Sequence, residues 1–234
     1  MCIAMSDNIF DRTERLLGVA AMERLAGAKV LLFGVGGVGG WCAEALVRSG
    51  IGHLTVVDPD CVDATNINRQ LMATTTTVGR PKVEVLRERL LEINPQADII
   101  ARQMAYTKDS AMEFDFNEYD YVVDAIDSIA DKLELILAAT RKDCSAVLVS
   151  SMGAAMKMDP TQVRVTEFWK VDGCPLAAVL RKRMRRQKRF PERKFLCVWS
   201  PEVIRGSEKG SMVHVTGTMG FTLAGIILQK IAAN

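Results

Sequence analysis

Residues 31–46 read LLFGVGGVGGWCAEAL. An apolar run that ends in glycines marks a buried parallel strand, since both faces of such a strand are covered by helices. Residues 38–50, VGGWCAEALVRSG, then read as a helix closed by Gly50. Gly34, Gly36 and Gly39 fit G-x-G-x-x-G across the junction, with Gly37 inside the loop, and Asp58 stands nineteen residues past Gly39 at the end of the next strand, HLTVVD. Glycines here let backbone N–H groups approach a phosphate at a helix N-terminus, and an acid so placed accepts hydrogen bonds from ribose hydroxyls. The stretch predicts a nucleotide-binding fold; taken alone it favours NAD.

The pattern continues outward. Pro81 opens a helix whose apolar positions Val83, Leu86, Leu90 and Ile93 recur at helical spacing. ADIIARQM (97–104), YDYVVDAID (119–127) and SAVLVSSMG (145–153) read as strands, with a helix in DKLELILAATRKD (131–143). The alternation predicts an α/β fold, a Rossmann-like, doubly wound and mostly parallel sheet over residues 28–153. Residues 1–27 are expected to form an N-terminal helical segment that carries Arg15. Beyond Gly153 the grammar changes to a mixed α/β extension over 154–234: MKMDPTQVRVTEF alternates with period 2 around an Asp-Pro turn, and KFLCVWSPEV reads as a further strand. The closing apolar run, GFTLAGIILQKIAAN, is short for a bilayer and interrupted by Gln229 and Lys230, so a core or interface helix is expected and integral membrane insertion is not.

Composition bounds the class. An apolar fraction of 49% with 30 basic and 28 acidic residues describes a folding globular chain. The near balance hides an asymmetry. Residues 181–194, RKRMRRQKRFPERK, hold nine basic residues and one acid, which leaves 21 basic and 27 acidic residues elsewhere, a net −6. Arg181, Lys182, Arg183, Arg185, Arg186, Lys188 and Arg189 therefore form a candidate phosphate-contacting surface for nucleic acid, although most charge runs are merely solvated faces. The six cysteines form no CxxC pair, which argues against structural zinc, and their scatter fits a reducing cytoplasm.

The residues after Asp58 decide between nucleotides. Asp60, Asn66, Asn68, Arg69 and Gln70 follow it, Lys82 begins the next helix, and Arg15 lies upstream. A redox cofactor needs no such cationic set, whereas a triphosphate with a departing pyrophosphate does. Asp127, at the tip of a predicted strand, is placed to hold magnesium on those phosphates. The set reads as ATP with Mg2+ rather than NAD.

FGVGGVGGWCAEAL, VDPDCVDATNINRQ, VGRPKVEVL and DAIDS together resemble the adenylating fold of ubiquitin-activating enzymes and their bacterial ThiF, MoeB and HesA relatives. The resemblance implies ribose binding by Asp58, phosphate binding by Asn66, Arg69, Gln70 and Lys82, and metal binding by Asp127. Arg15 matches the arginine that such relatives insert from a neighbouring subunit, which implies a homodimer. DPTQVRV, CPLAAVLRKRMRR and CVWSPE resemble the tRNA threonylcarbamoyladenosine dehydratase branch. That branch implies tRNA as substrate and an ATP-driven cyclisation through carboxylate adenylation, with room for a cysteine desulfurase or other sulfur-acceptor partner. The alternative is adenylation of the C-terminal glycine of a ubiquitin-like sulfur carrier, against which the missing zinc cysteines and the basic segment weigh. Cys197 stands where some protein-activating relatives carry a thioester-forming cysteine, though a buried hydrophobe is its commoner role.

Overall fold

Strand β1 (Lys29–Phe33) organises the molecule: Val30 and Leu32 enter the core on one face of the sheet, Leu31 and Phe33 the core on the other, and all four are buried. Two covered faces are why this run is apolar without alternation. In the computed structural model, which describes residues 8–206 and 208–233, β1 is flanked by β2 (His53–Val57) and β4 (Tyr121–Asp124). With β3 (Asp98–Arg102), β5 (Val147–Ser151), β6 (Arg164–Glu167) and β7 (Leu196–Trp199), the sheet runs β3-β2-β1-β4-β5-β7-β6. Every neighbouring pair is parallel except β6 with β7.

One face carries α2 (Val19–Gly27), α3 (Gly39–Arg48), α4 (Lys82–Ile93) and α7 (Val213–Ala233), whose buried residues Leu25, Leu46, Leu86 and Leu223 share a core with Val30 and Leu32. The other face carries α5 (Ile129–Ala139) and α6 (Pro175–Gln187), with Leu133, Leu180 and the aromatic residues Phe114, Phe116, Phe168 and Phe195 closing over Leu31 and Phe33. Helix α1 (Asp11–Leu17) precedes α2 and buries no residue.

Residues beyond 153 do not form a separate layer; β7 pairs with β5 and β6 lines the edge of the same sheet. The period-2 pattern around Asp159-Pro160 yields a strand only on its far side, at β6. Met156 explains why: its φ of +60° does not fit a ladder, and its backbone instead accepts from Ile204 N and donates to the Gly210 carbonyl. Asp159 caps the single 3-10 turn Pro160–Gln162 by accepting from Thr161 N at 2.9 Å. Helix α7 is long and apolar enough to cross a membrane on length and composition alone, but half of its most apolar stretch is buried, with Val215, Met219, Leu223 and Ile227 in the core.

Candidate functional site

The chain leaves β1 toward β2 on one side and returns to β4 on the other, so the loops at the C-terminal ends of these strands diverge and leave a crevice between them. A cavity of about 640 Å³ opens there. Its first wall is the loop after β1. Gly34 has φ +85°, and a Cβ on it would lie 2.7 Å from the Ala125 carbonyl oxygen; a Cβ on Gly39 would collide with the Gly34 carbonyl oxygen. These two glycines make the turn and let α3 start against it, while Gly36 and Gly37 line the cavity. No side chain caps α3; the Gly40 N–H is taken by the Gly36 carbonyl, and the positive end of the helix opens behind the cavity-lining Gly36, Gly37 and Val38.

Asp58, at the end of β2, is buried. Its Oδ2 accepts from Val35 N at 2.8 Å and its Oδ1 from Asp60 N at 2.9 Å, so it fixes the glycine loop as well as facing the cavity. Burial pushes its carboxyl above the usual aspartate value, with the backbone hydrogen bond from Asp60 and the Lys82 charge opposing that rise. Lys82, the first residue of α4, is also buried and places Nζ 2.8 Å from Asp60 Oδ2. Arg69 reaches the cavity with its guanidinium braced by the Thr65 carbonyl and Asn68 Oδ1, at 2.9 and 2.8 Å. Gln70 is buried on the same wall, and its Oε1 has no hydrogen-bond partner. An orphaned buried acceptor beside a glycine loop is a group waiting for a donor such as a nucleotide's hydroxyl or base N–H, and the Arg69 and Lys82 cations beside it suit the phosphates of the same molecule.

Asp127 lines the opposite wall together with Asp131. Among the described residues no group of three or more His, Cys, Asp or Glu side chains is gathered for a metal. A cation bound there would have Asp127 and Asp131 as the carboxylates within the cavity wall and would complete its shell with phosphate oxygens and water.

Three expected residues lie elsewhere. Asn66 is turned inward, where its Oδ1 accepts from Asp63 N at 3.1 Å in a reciprocal cap of the 3-10 turn Ala64–Asn66, and it does not line the cavity. Asn68 donates to the Ser211 carbonyl at 3.0 Å. Arg15 is exposed on α1, 2.9 Å from Asp11, away from the cavity of its own chain. Cys197 is buried in β7, and burial raises its thiol well above the ordinary range.

Two buried lysines went unmarked by any motif. Lys132 on α5 pairs with Asp124 at the end of β4, Nζ to Oδ2 2.9 Å, both fully buried. Asp124 also accepts from Ser150 Oγ at 2.6 Å and Ile126 N at 3.2 Å, while Lys132 donates to the Ile126 carbonyl at 3.0 Å. This network anchors the Ala125–Ser128 loop that carries Asp127. Lys157, after β5, lines the cavity itself.

The basic segment divides. Its first part is the body of α6, whose apolar face Ala177, Leu180 and Met184 is buried and whose first turn, Pro175 and Leu176, borders the cavity. Arg181 donates to the Phe168 and Val171 carbonyls, Arg189 grips Glu134 with both terminal nitrogens at 2.6 and 2.8 Å, and Arg193 donates to the Ala139 and Ala146 carbonyls. These arginines hold the fold. Lys182, Arg185, Arg186 and Lys188 are exposed.

Residues 10–232 match the ThiF family. A tRNA threonylcarbamoyladenosine dehydratase of Bacillus subtilis is 43% identical over 178 residues, 76% of this chain and 69% of that one, and the dehydratase of the same description from Haemophilus influenzae is 34% identical over 93% of this chain and 90% of its own. Among solved structures, the Escherichia coli tRNA N6-threonylcarbamoyladenosine dehydratase TcdA in complex with AMP superposes with a TM-score of 0.89 at 37% identity, covering 99% of this chain and 98% of that one; its complex with ATP gives 0.88.

Proposed function

The chain belongs to the ThiF family, and from that premise we propose that it dehydrates N6-threonylcarbamoyladenosine in tRNA at the expense of ATP. The observation that carries this reading is one cavity in which the glycine loop, Asp58, Arg69, Gln70, Lys82 and Asp127 converge, in a fold that matches the TcdA structures over nearly its whole length.

The acceptor is a threonyl carboxylate, ionised at neutral pH and nucleophilic without a general base. Its oxygen attacks the α-phosphorus of ATP, the α–β anhydride bond breaks and pyrophosphate leaves. The ureido group of the same substrate then attacks the acyl carbon and loses a proton. AMP departs with the carboxylate oxygen, so the water removed is consumed in splitting ATP. The protein's part is positional and electrostatic. Asp58 accepts from ribose, the α3 N-terminus and the Gln70 amide meet the phosphates, and Arg69 and Lys82 oppose the charge that builds on the departing pyrophosphate. Bound magnesium, with Asp127 as its protein ligand, would shield the charge on the phosphate oxygens. Arg15 completes the site from a second copy in a homodimer, which its distance from the cavity of its own chain supports. The exposed cations of α6 contact tRNA phosphates beside the cavity mouth. A reducing, cytoplasmic setting agrees with the five described cysteines, which are all unpaired.

The test is pyrophosphate release from ATP and magnesium with modified tRNA and with the same tRNA lacking the modification, followed by mass spectrometry of the nucleosides. Release with the modified tRNA alone, and loss of one water from its nucleoside, is expected. Equal release with both, or none with either while ATP binds, would refute the reading and point to a protein acceptor.

A further inference from the structure

The motif residues occupy one end of the cavity. The other end is walled by Met152, Met156 and Lys157 after β5, Leu176 and Val179 from α6, and Glu202 after β7. Because β5 and β7 are parallel to β1, this wall rises from the same edge of the sheet as the glycine loop.

Lys157 is the unusual member. Among the described residues three lysines are buried, Lys82, Lys132 and Lys157. The first two each face a carboxylate, Asp60 and Asp124, at 2.8 and 2.9 Å. Lys157 has no such partner among the described residues: its Nζ donates to the carbonyls of Ser200, at 2.9 Å, and Glu202. The Glu202 carboxylate is turned the other way, its Oε2 accepting from Met158 N and Asp159 N at 2.8 and 2.9 Å. The two segments thus latch each other around the left-handed Met156 and hold the ammonium in place. An ammonium has three N–H donors, of which two are used here. Burial pulls this lysine below its ordinary value despite the opposing charges of Cys174 and Glu202, a cost that an anion bonded directly to Nζ would offset further.

The functional reading supplies such an anion. The acceptor brings a carboxylate up to an anionic phosphate, and the two repel unless a cation stands on the acceptor's side. Lys82 is already engaged by Asp60, and Arg69 belongs to the glycine-loop end. We propose that the Lys157 end of the cavity is the acceptor subsite and that Lys157 receives the substrate's carboxylate through its remaining N–H, with Met152, Leu176 and Val179 as the apolar wall beside it. This deepens the dehydratase reading and rests on it.

The experiment compares two competitors of pyrophosphate release with modified tRNA: the free nucleoside N6-threonylcarbamoyladenosine, and its carboxamide, which has the same shape without the charge. Wild-type protein should favour the carboxylate by roughly 10- to 100-fold, the range of a charge-assisted hydrogen bond. In Lys157→Gln, which keeps donors for the two carbonyls, and in Lys157→Met, that ratio should fall toward one while ATP affinity is held. Lys157→Arg should retain most of it. Lys209→Met, on the exposed rim of the same cavity, should leave the ratio unchanged. A ratio that survives in Lys157→Gln with ATP binding intact, or a wild-type enzyme that turns over modified tRNA yet binds both competitors alike, would overturn the assignment. Wild-type protein that binds ATP but releases no pyrophosphate with modified tRNA would remove the underlying reading instead.

Discussion

Replacing Lys132 by Met strands one charge of a pair that water does not reach. Lys132 and Asp124 are both fully buried. In the variant, Asp124 would keep the Ser150 hydroxyl at 2.6 Å and the Ile126 amide at 3.2 Å but lose its cation. Removing one partner of a buried ion pair costs about 3–5 kcal/mol. In a chain of this length each kcal/mol lowers Tm by about 2–4 °C, so a fall of roughly 6–20 °C is expected. Methionine is close to lysine in volume, so lost packing adds little. Urea denaturation and thermal melts followed by circular dichroism would measure both quantities. The double variant Lys132→Met, Asp124→Leu removes the stranded charge and should regain part of the loss, though not all, because Ser150 Oγ loses its acceptor. The Ile126 carbonyl is released as well, and with it the wall that carries Asp127, so ATP affinity should fall in the single variant. A loss below about 1 kcal/mol, the worth of an exposed pair, or a double variant less stable than the single one, is incompatible with a stranded buried charge.

Arg69→Ala and Lys82→Ala should each slow ATP–pyrophosphate exchange about a hundredfold or more, and mixing inactive Arg15→Ala with inactive Lys82→Ala should restore activity if Arg15 acts on its partner's site; no recovery after subunit exchange would show that Arg15 does not act across the dimer. Asp58 must be ionised to accept from both Val35 N and Asp60 N and still meet ribose. Burial raises its pKa, so ATP affinity should decline on acidification at a higher pH than an exposed aspartate would dictate, and Asp58→Asn should bind more weakly at neutral pH but without that decline; an identical acid profile in the variant would exclude Asp58 as the source. Lys182→Ala and Arg186→Ala should each lower the salt dependence of tRNA binding by about one unit of log–log slope, whereas Arg181→Ala, which loses two carbonyl contacts, should be felt chiefly in thermal stability.

What the sequence discloses is what local chemistry imposes. The glycine turn, the apolar β1 and the helix opening at Lys82 are legible because each is set by a few consecutive residues. Asn66 shows the limit: its neighbours suggest a phosphate ligand, yet its side chain closes a cap three residues long, a competition that spacing alone does not resolve. Lys132 and Lys157 are invisible for the opposite reason. Lysine is ordinarily a surface residue, and only the meeting of α5 with β4, or of the segments after β5 and β7, gives these two a buried role. The basic segment likewise reads as uniform charge until Arg181, Arg189 and Arg193 are seen bonded to the protein.

The position of α7 bears on how the molecule is made. This helix is synthesised after every strand, yet it supplies Val215, Met219, Leu223 and Ile227 to the core beneath α3, and Thr216 stands beside Gly37 of the nucleotide loop. A nascent chain that has already produced β1 to β5 still exposes an apolar groove over α2 and α3, and a glycine loop backed on one side only. Closure of the wall beside the nucleotide loop thereby waits on the synthesis of α7, and the uncovered groove is the surface by which a chain lacking this helix would aggregate or engage a chaperone.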